Sequence, residues 1–557
     1  MGVLLALAAS SLWTQDLRPA ENQDGASVVI HPYVDSVIFA EFVGQLHDDT
    51  TLVRLGDPDM AGVHLPIYHY ASFLLPASLE AWSPGTSAFD STVAFWIPFS
   101  FVLVGLSAFC LAAEWLGDFA GIAAVLAVLL IPSPPLYWLP LYYLSFHWLL
   151  AVSPGLAYGI AGAATALVLL AGAQRSNRLL LFAAGLGLMV ATVFLKAHIA
   201  LVGVPLAAAW VIAVKKGWTT RTRVLLFLGA AVVGYGALRV LDHLKIGPNI
   251  LPNGTHGSFV NMIPSYLNMI RPGFWPHVFM HHVFFTHIGY PVTLGVVAVG
   301  SEFGIWFLFW MAIAAKCIVK RRCSPFDLLS MFAVPIYLFC TFISPPNTRG
   351  GFADEMWHRP FVWLYFLLAA LAGAHIASWL EKTMKDRSQL GAAGMAVLVA
   401  ILLLVPFREG KSIQHWIQIG SLTHARMDTG FIDCSDYVRT HGEQTDIVQS
   451  QVSSNYPFLS AFTEKRAYLG RVPGFWKESF NGTPAMTESQ RRGDVLASMR
   501  AAQSASDLQR FVKMTGIRWY IARPDEALAW PKNLLEHPAF ASSGFRVYDL
   551  ATAPSMQ

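Results

Sequence analysis

Residues 292–344 read VTLGVVAVGSEFGIWFLFWMAIAAKCIVKRRCSPFDLLSMFAVPIYLFCTFIS. Two apolar runs flank a short basic linker, Lys316 to Arg322. A helix needs roughly 20 apolar residues to cross about 30 Å of hydrocarbon, and each run can supply them. Three more basic linkers separate apolar runs elsewhere, at Gln174 to Arg178, Lys215 to Arg223 and Glu381 to Arg387. Counted along the chain, all four fall on one face. The positive-inside rule makes that face cytoplasmic. The long polar stretches, 14–92, 243–290, 345–358 and everything after about 407, then share the opposite face.

Composition supports the same class. Of 557 residues, 55% are hydrophobic and 13% charged, with a mean hydropathy of +0.48. Soluble domains carry about 25% charged residues, so this much apolar surface calls for a polytopic membrane protein. A net charge of +3 gives no basic surface for a nucleic acid, and no nucleic-acid partner is expected. Four of the five cysteines (Cys110, Cys317, Cys323, Cys340) lie in or beside apolar runs, and Cys434 stands alone in the tail. Neither a disulfide framework nor zinc spacing follows.

Ten spans are expected near 93–115, 119–136, 155–173, 178–195, 197–214, 222–241, 292–318, 325–344, 359–380 and 389–406. The short apolar segment Val3 to Trp13, a truncated helix or a signal-peptide core, makes about eleven. That number puts the N-terminus in the cytoplasm and the C-terminus outside. Residues 136–152, dense in Tyr and Trp, read as an interfacial element. Residues 1–406 are therefore expected to form the membrane module, with its first outer loop at 14–92. Residues 407–557 are expected to form a small extracytoplasmic α/β domain. Its β-like runs are 446–451, 517–522 and 545–550, and its helical runs are 487–502, 506–514 and 525–537.

The first outer loop holds most of the candidate chemistry. Asp35 precedes an apolar run (Val37, Ile38, Phe39, Phe42, Val43, Leu46) spaced for a helix lying on the membrane. A poorly solvated carboxylate suits a general base, while an acid at this position equally caps a helix. Asp57 and Asp59 flank Pro58, with Asp48 and Asp49 upstream. Oxygen ligands of this kind could hold a divalent cation, the one cofactor the sequence points toward. Asp-Pro is also ordinary turn chemistry. The histidines 277, 281, 282 and 287 sit in an aromatic run and read as interfacial. Arg349 and Arg359 flank an acidic, Gly-Gly loop, and Lys196 with His198 falls between two spans on the same face. Guanidinium groups there can grip phosphate oxygens with two prongs, or anchor helix ends at headgroups.

With these residues in place, the chain resembles the polyprenyl-phosphate-sugar-dependent glycosyltransferases of the GT-C superfamily. Those enzymes have many spans and a long first outer loop with an early acidic residue. The loop often continues into a His-Pro-Pro-Leu-Tyr-like stretch. Here Gly62-Val63-His64-Leu65-Pro66-Ile67-Tyr68-His69-Tyr70 is similar, with Leu65 at the first proline. The tail segments Arg466 to Gly470, Gly516 to Ile521 and Phe545 to Leu550 look like the outer α/β domain of bacterial members. Where the family often has Asp-Glu, this chain has Asp35-Ser36, leaving the second acid to Asp57 or Asp59.

The resemblance implies an integral protein of the inner cell membrane. It would move a sugar from a polyprenyl-phosphate donor to an extracytoplasmic glycan, lipid or protein. Asp35 would be the base. His64, Tyr68, His69, Lys196, Arg349 and Arg359 would bind substrate, with the lipid carrier among the spans. Two other classes share much of this pattern, a flippase of a lipid-linked glycan and a non-catalytic envelope protein. Transporters place ionisable groups mid-span in repeated halves, and neither feature stands out here.

Overall fold

The computed structural model describes residues 2–14, 20–21, 25–30, 35–48, 56–63, 70–83, 85–131, 133, 145–214, 218–226, 228–229, 232, 236, 303–320, 323–343, 355–385, 425–451, 458–471 and 483–551. The chain divides into two compact units. The first comprises Met1–Gln15, Ile97–Thr348 and Phe352–Gly420, and the second Asp16–Trp96, Arg349–Gly351 and Ser421–Gln557.

The first unit is helical. Among the described residues, four helices are long and apolar enough to cross a membrane, namely Ala88–Leu116, Gly155–Ser176, Leu179–Val214 and Arg359–Thr383. Shorter apolar helices, Gly2–Ser11, Asp118–Leu129 and Pro325–Cys340, accompany them. Helix α1 (Gly2–Thr14) is pinned at its end, where Trp13 Nε1 donates to the Leu129 carbonyl at 2.7 Å. Gly155–Ser176 stops at Asn177, whose φ of 53° is the left-handed turn that ends a helix. The expected spans at 178–195 and 197–214 meet inside Leu179–Val214, where Lys196 leaves the helical conformation. The span expected at 222–241 lies largely outside the described residues, and the one at 389–406 wholly so.

Near the basic linker, Asp327 ties three helices together. Its carboxylate lies 3.1 Å from both Lys316 Nζ and His375 Nε2, and it also accepts from the Ser324 amide at 3.2 Å. Cys317 and Cys323 are paired, with Cα atoms 5.1 Å apart, a local link that the scattered cysteines did not announce.

The second unit is built on a five-stranded sheet. Its strands are β4 (Ile447–Ser450), β5 (Arg466–Ala467), β6 (Ile517–Ala522), β7 (Phe540–Ser542) and β8 (Phe545–Asp549), in the order β5-β4-β6-β8-β7. The pairs β4–β5 and β4–β6 are parallel, and the other two are antiparallel. Strand alternation sorts β6 between two cores. Trp519 and Ile521 join Cys434, Val438 and Val448 on one face. Tyr520 and Ala522 join Leu496, Met499, Leu508 and Trp530 on the other.

Met60, from the first long polar loop, packs into this second core. A smaller antiparallel sheet joins β1 (Ala20–Glu21) and β2 (Ser27–Ile30) to β3 (Ala425–Asp428), with Val28 opposite Met427. The loop that the sequence groups with the membrane module thus shares hydrophobic core and backbone hydrogen bonds with the tail.

Candidate functional site

Asp35 is the first residue of helix α2 (Asp35–Asp48) and is half-buried. The apolar face expected to lie on lipid is instead covered by protein. Val37 and Val43 are fully buried, and Phe42 stacks at tilted angles against Tyr70 and Phe73, 5.5 and 5.6 Å between ring centres. The same spacing that suits a membrane surface suits any apolar partner. Here the partners are aromatic rings of the loop itself and the short helix Phe458–Thr463.

Below Asp35 on α2, a buried ionic cluster joins four separate segments. Glu41 comes from α2, Asp57 and Asp59 from the Asp-Pro-Asp turn, Tyr70 from the end of the motif, and Ser460 and Arg471 from the tail. Glu41, Asp57 and Asp59 are all at most 1% exposed. Arg471 Nε lies 2.6 Å from Asp59 Oδ2, and its Nη2 lies 3.3 Å from Glu41 Oε1. Ser460 Oγ is 3.0 Å from both Glu41 Oε2 and Asp59 Oδ1. Asp57 Oδ1 accepts the Asp59 amide at 2.9 Å, which closes the turn. Backbone bonds sew this turn to the tail, from Ala467 N to Pro58 O at 2.7 Å and from Gly470 N to Asp59 O at 2.9 Å. Residue 470 must be glycine for this approach, because a Cβ there would stand 2.6 Å from Asp59 Oδ1.

The electrostatics follow from burial and charge count. Burial opposes the Arg471 charge, but Asp59, Glu41 and Asp57 together outweigh it, so its pKa is raised and it stays a cation. The Tyr70 hydroxyl is pushed well above its usual range, first by burial and then by the charges of Asp57 and Glu41. It is a neutral donor at any physiological pH. Both oxygens of Glu41 and of Asp59 are already engaged by Arg471 and Ser460. No group of three or more His, Cys, Asp or Glu among the described residues is arranged to hold a metal.

The first unit holds a cluster of opposite character. Lys196 sits at the break in Leu179–Val214, with φ −164° and ψ 102°, and is 6% exposed. Its Nζ donates to Ser153 Oγ at 3.1 Å. Two residues on, the His198 ring is buried and lies within reach of the charges of both Lys196 and Arg359. The helix Gly155–Ser176 crosses closely at this point. A Cβ on Gly159 would be 2.9 Å from Lys196 Cβ, so glycine is what lets the two helices meet. One turn beyond Arg359, Trp363 is fully buried, and its indole N–H has no hydrogen-bond partner among the described residues.

No family model matches the chain, and no curated protein does. Solved structures do align with it. The apo oligosaccharyltransferase of Archaeoglobus fulgidus is 14% identical, with a TM-score of 0.45, and covers 94% of this chain and 70% of its own. The same organism's AglB in complex with an inhibitory peptide and a dolichol-phosphate is 13% identical, with a TM-score of 0.42 over 94% and 69%. ArnT from Cupriavidus metallidurans bound to undecaprenyl phosphate is 14% identical, with a TM-score of 0.45 over 98% and 97%. At these identities the functional reading rests on the side chains of this chain alone.

Of the residues singled out in the sequence, Asp57 is brought together with Asp59, and His198 feels the charges of both Lys196 and Arg359. His64, Tyr68, His69 and Arg349 lie outside the described residues. Sequence reasoning did not single out Glu41, Ser153, Ser460 or Arg471. The one available hint was a glutamate set among the apolar positions of α2.

Proposed function

We propose that this protein is a membrane glycosyltransferase moving a sugar from a polyprenyl-phosphate donor to an extracytoplasmic glycan, lipid or protein. About eleven spans hold it in the cell membrane, and its polar tail works outside. The acceptor hydroxyl gives its proton to Asp35 as its oxygen attacks the anomeric carbon. The bond from that carbon to the phosphate oxygen breaks, its electron pair leaves on the phosphate, and the configuration inverts. His64, Tyr68 and His69 contact the sugar or the acceptor. Lys196, Arg349 and Arg359 neutralise the leaving phosphate, so no metal is needed for that step.

The observation that carries this reading is Lys196, buried at the break in Leu179–Val214, with the buried His198 two residues on in electrostatic range of Arg359. A lipid phosphate is an anion that a membrane offers to a buried basic group. A flippase of a lipid-linked glycan would use the same phosphate grip but would not need Asp35. The discriminating experiment is sugar transfer by purified Asp35→Asn protein. Loss of transfer with donor binding intact supports the enzyme. Transfer at the wild-type rate overturns the assigned base.

A further inference from the structure

Helix α2 is held on one face by the tail. Glu41 and Gln45 are one turn apart and lie on the same side. Glu41 is bonded by Ser460 and Arg471, and Gln45 Oε1 accepts from Arg466 Nε at 2.8 Å. The helix Phe458–Thr463 packs directly on α2, and Ser460 sits within it. Asp35 lies six residues before Glu41, about 9 Å along the helix axis at 1.5 Å per residue. A rigid helix transmits rotation, so whatever fixes Glu41 fixes the direction in which Asp35 points.

We propose that Arg471 is a positioning residue for transfer, with Ser460 as its helper, so that the C-terminal segment sets the orientation of the catalytic acid. This inference rests on the reading of Asp35 as the base. It also explains why a segment so distant in sequence is built into the first polar loop. Arg471 bridges two carboxylates on two segments at once, and its rigid planar fork fixes the direction of each contact as a rotatable ammonium would not. The Asp59 turn is thereby locked to α2, and the helix cannot roll without breaking both contacts.

The test uses full-length protein in nanodiscs, with steady-state transfer measured against pH for wild type, Arg471→Lys, Ser460→Ala and Asp35→Asn. Arg471→Lys is expected to lower kcat by about 10-fold or more while donor KM stays within about 2-fold, a loss of roughly the size expected for a charge-assisted contact. The acid limb of its kcat profile is expected to move, because Asp35 changes its surroundings. Ser460→Ala is expected to show the same pattern at smaller size. A purely structural role would reduce the amount of folded enzyme and leave the acid limb in place, and that result overturns the proposal. Wild-type kcat and profile in Arg471→Lys, with Asp35→Asn inactive, would overturn the positioning role while leaving the base intact. An active Asp35→Asn would remove both.

Discussion

Arg471 Nε lies 2.6 Å from Asp59 Oδ2 in the interior of the second unit, closing a contact between the first polar loop and the tail. Both side chains are shielded, with Asp59 at 0% exposure. A buried charge that loses its partner cannot turn to water. Asp59→Ala is therefore expected to destabilise this unit by about 3–5 kcal/mol, the usual cost of breaking a buried pair from one side. Thermal unfolding followed by tryptophan fluorescence would measure it. A change within about 0.5 kcal/mol, the range of ordinary surface substitutions, would mean the contact is not made.

The same geometry predicts the response to metal removal. Arg471 already occupies the contacts of Glu41 and Asp59, so chelation of divalent ions is expected to leave the melting midpoint of the purified protein unchanged. A midpoint that rises with added Mg2+ or Mn2+, and rises less in Asp57→Asn, would place a cation in the Asp57–Asp59 turn.

Glu488 supplies a pH-dependent term with a definite sign. Arg491, at 2.7 Å, holds its carboxyl down to about 2, against a smaller opposing effect of burial, and Arg492 helps. A carboxylate with a lowered folded pKa stabilises the fold above its unfolded pKa of about 4.3. That contribution is lost as pH falls toward about 2. The group is partly exposed, so the effect is about 0.5–1 kcal/mol rather than the full shift. Glu488→Gln should lower the midpoint at pH 7 and match wild type near pH 2. An unchanged gap at both pH values would contradict the pairing.

Lys196 is expected to matter for the donor. Lys196→Gln keeps a donor for Ser153 but removes the charge beside His198 and Arg359. If this group grips the phosphate, transfer should fall about 10- to 100-fold, the worth of a charge-assisted hydrogen bond. Competition by free polyprenyl phosphate should weaken by a similar factor. Unchanged competition would remove Lys196 from the donor site.

Much of this architecture is legible in the chain. The apolar runs and basic linkers mark the helices, and the boundary expected between 195 and 197 falls at the residue where the helix breaks. Residues 519–522 alternate between two cores as a buried strand must. The acidic loop was harder. Asp57 and Asp59 stand out by spacing, but Glu41 looks like one polar residue on an amphipathic helix. Nothing local ties it to Arg471 or Ser460, because the pairing spans 419 residues to Ser460 and 430 to Arg471. Periodicity likewise showed that α2 needs an apolar partner, but could not say whether that partner was lipid or protein.

The most direct measurement is single-turnover transfer by wild-type and Asp35→Asn protein, purified side by side, with donor binding measured separately. A general base contributes about 100- to 10,000-fold. The account predicts a loss in that range with donor affinity retained. Wild-type turnover by Asp35→Asn would contradict it.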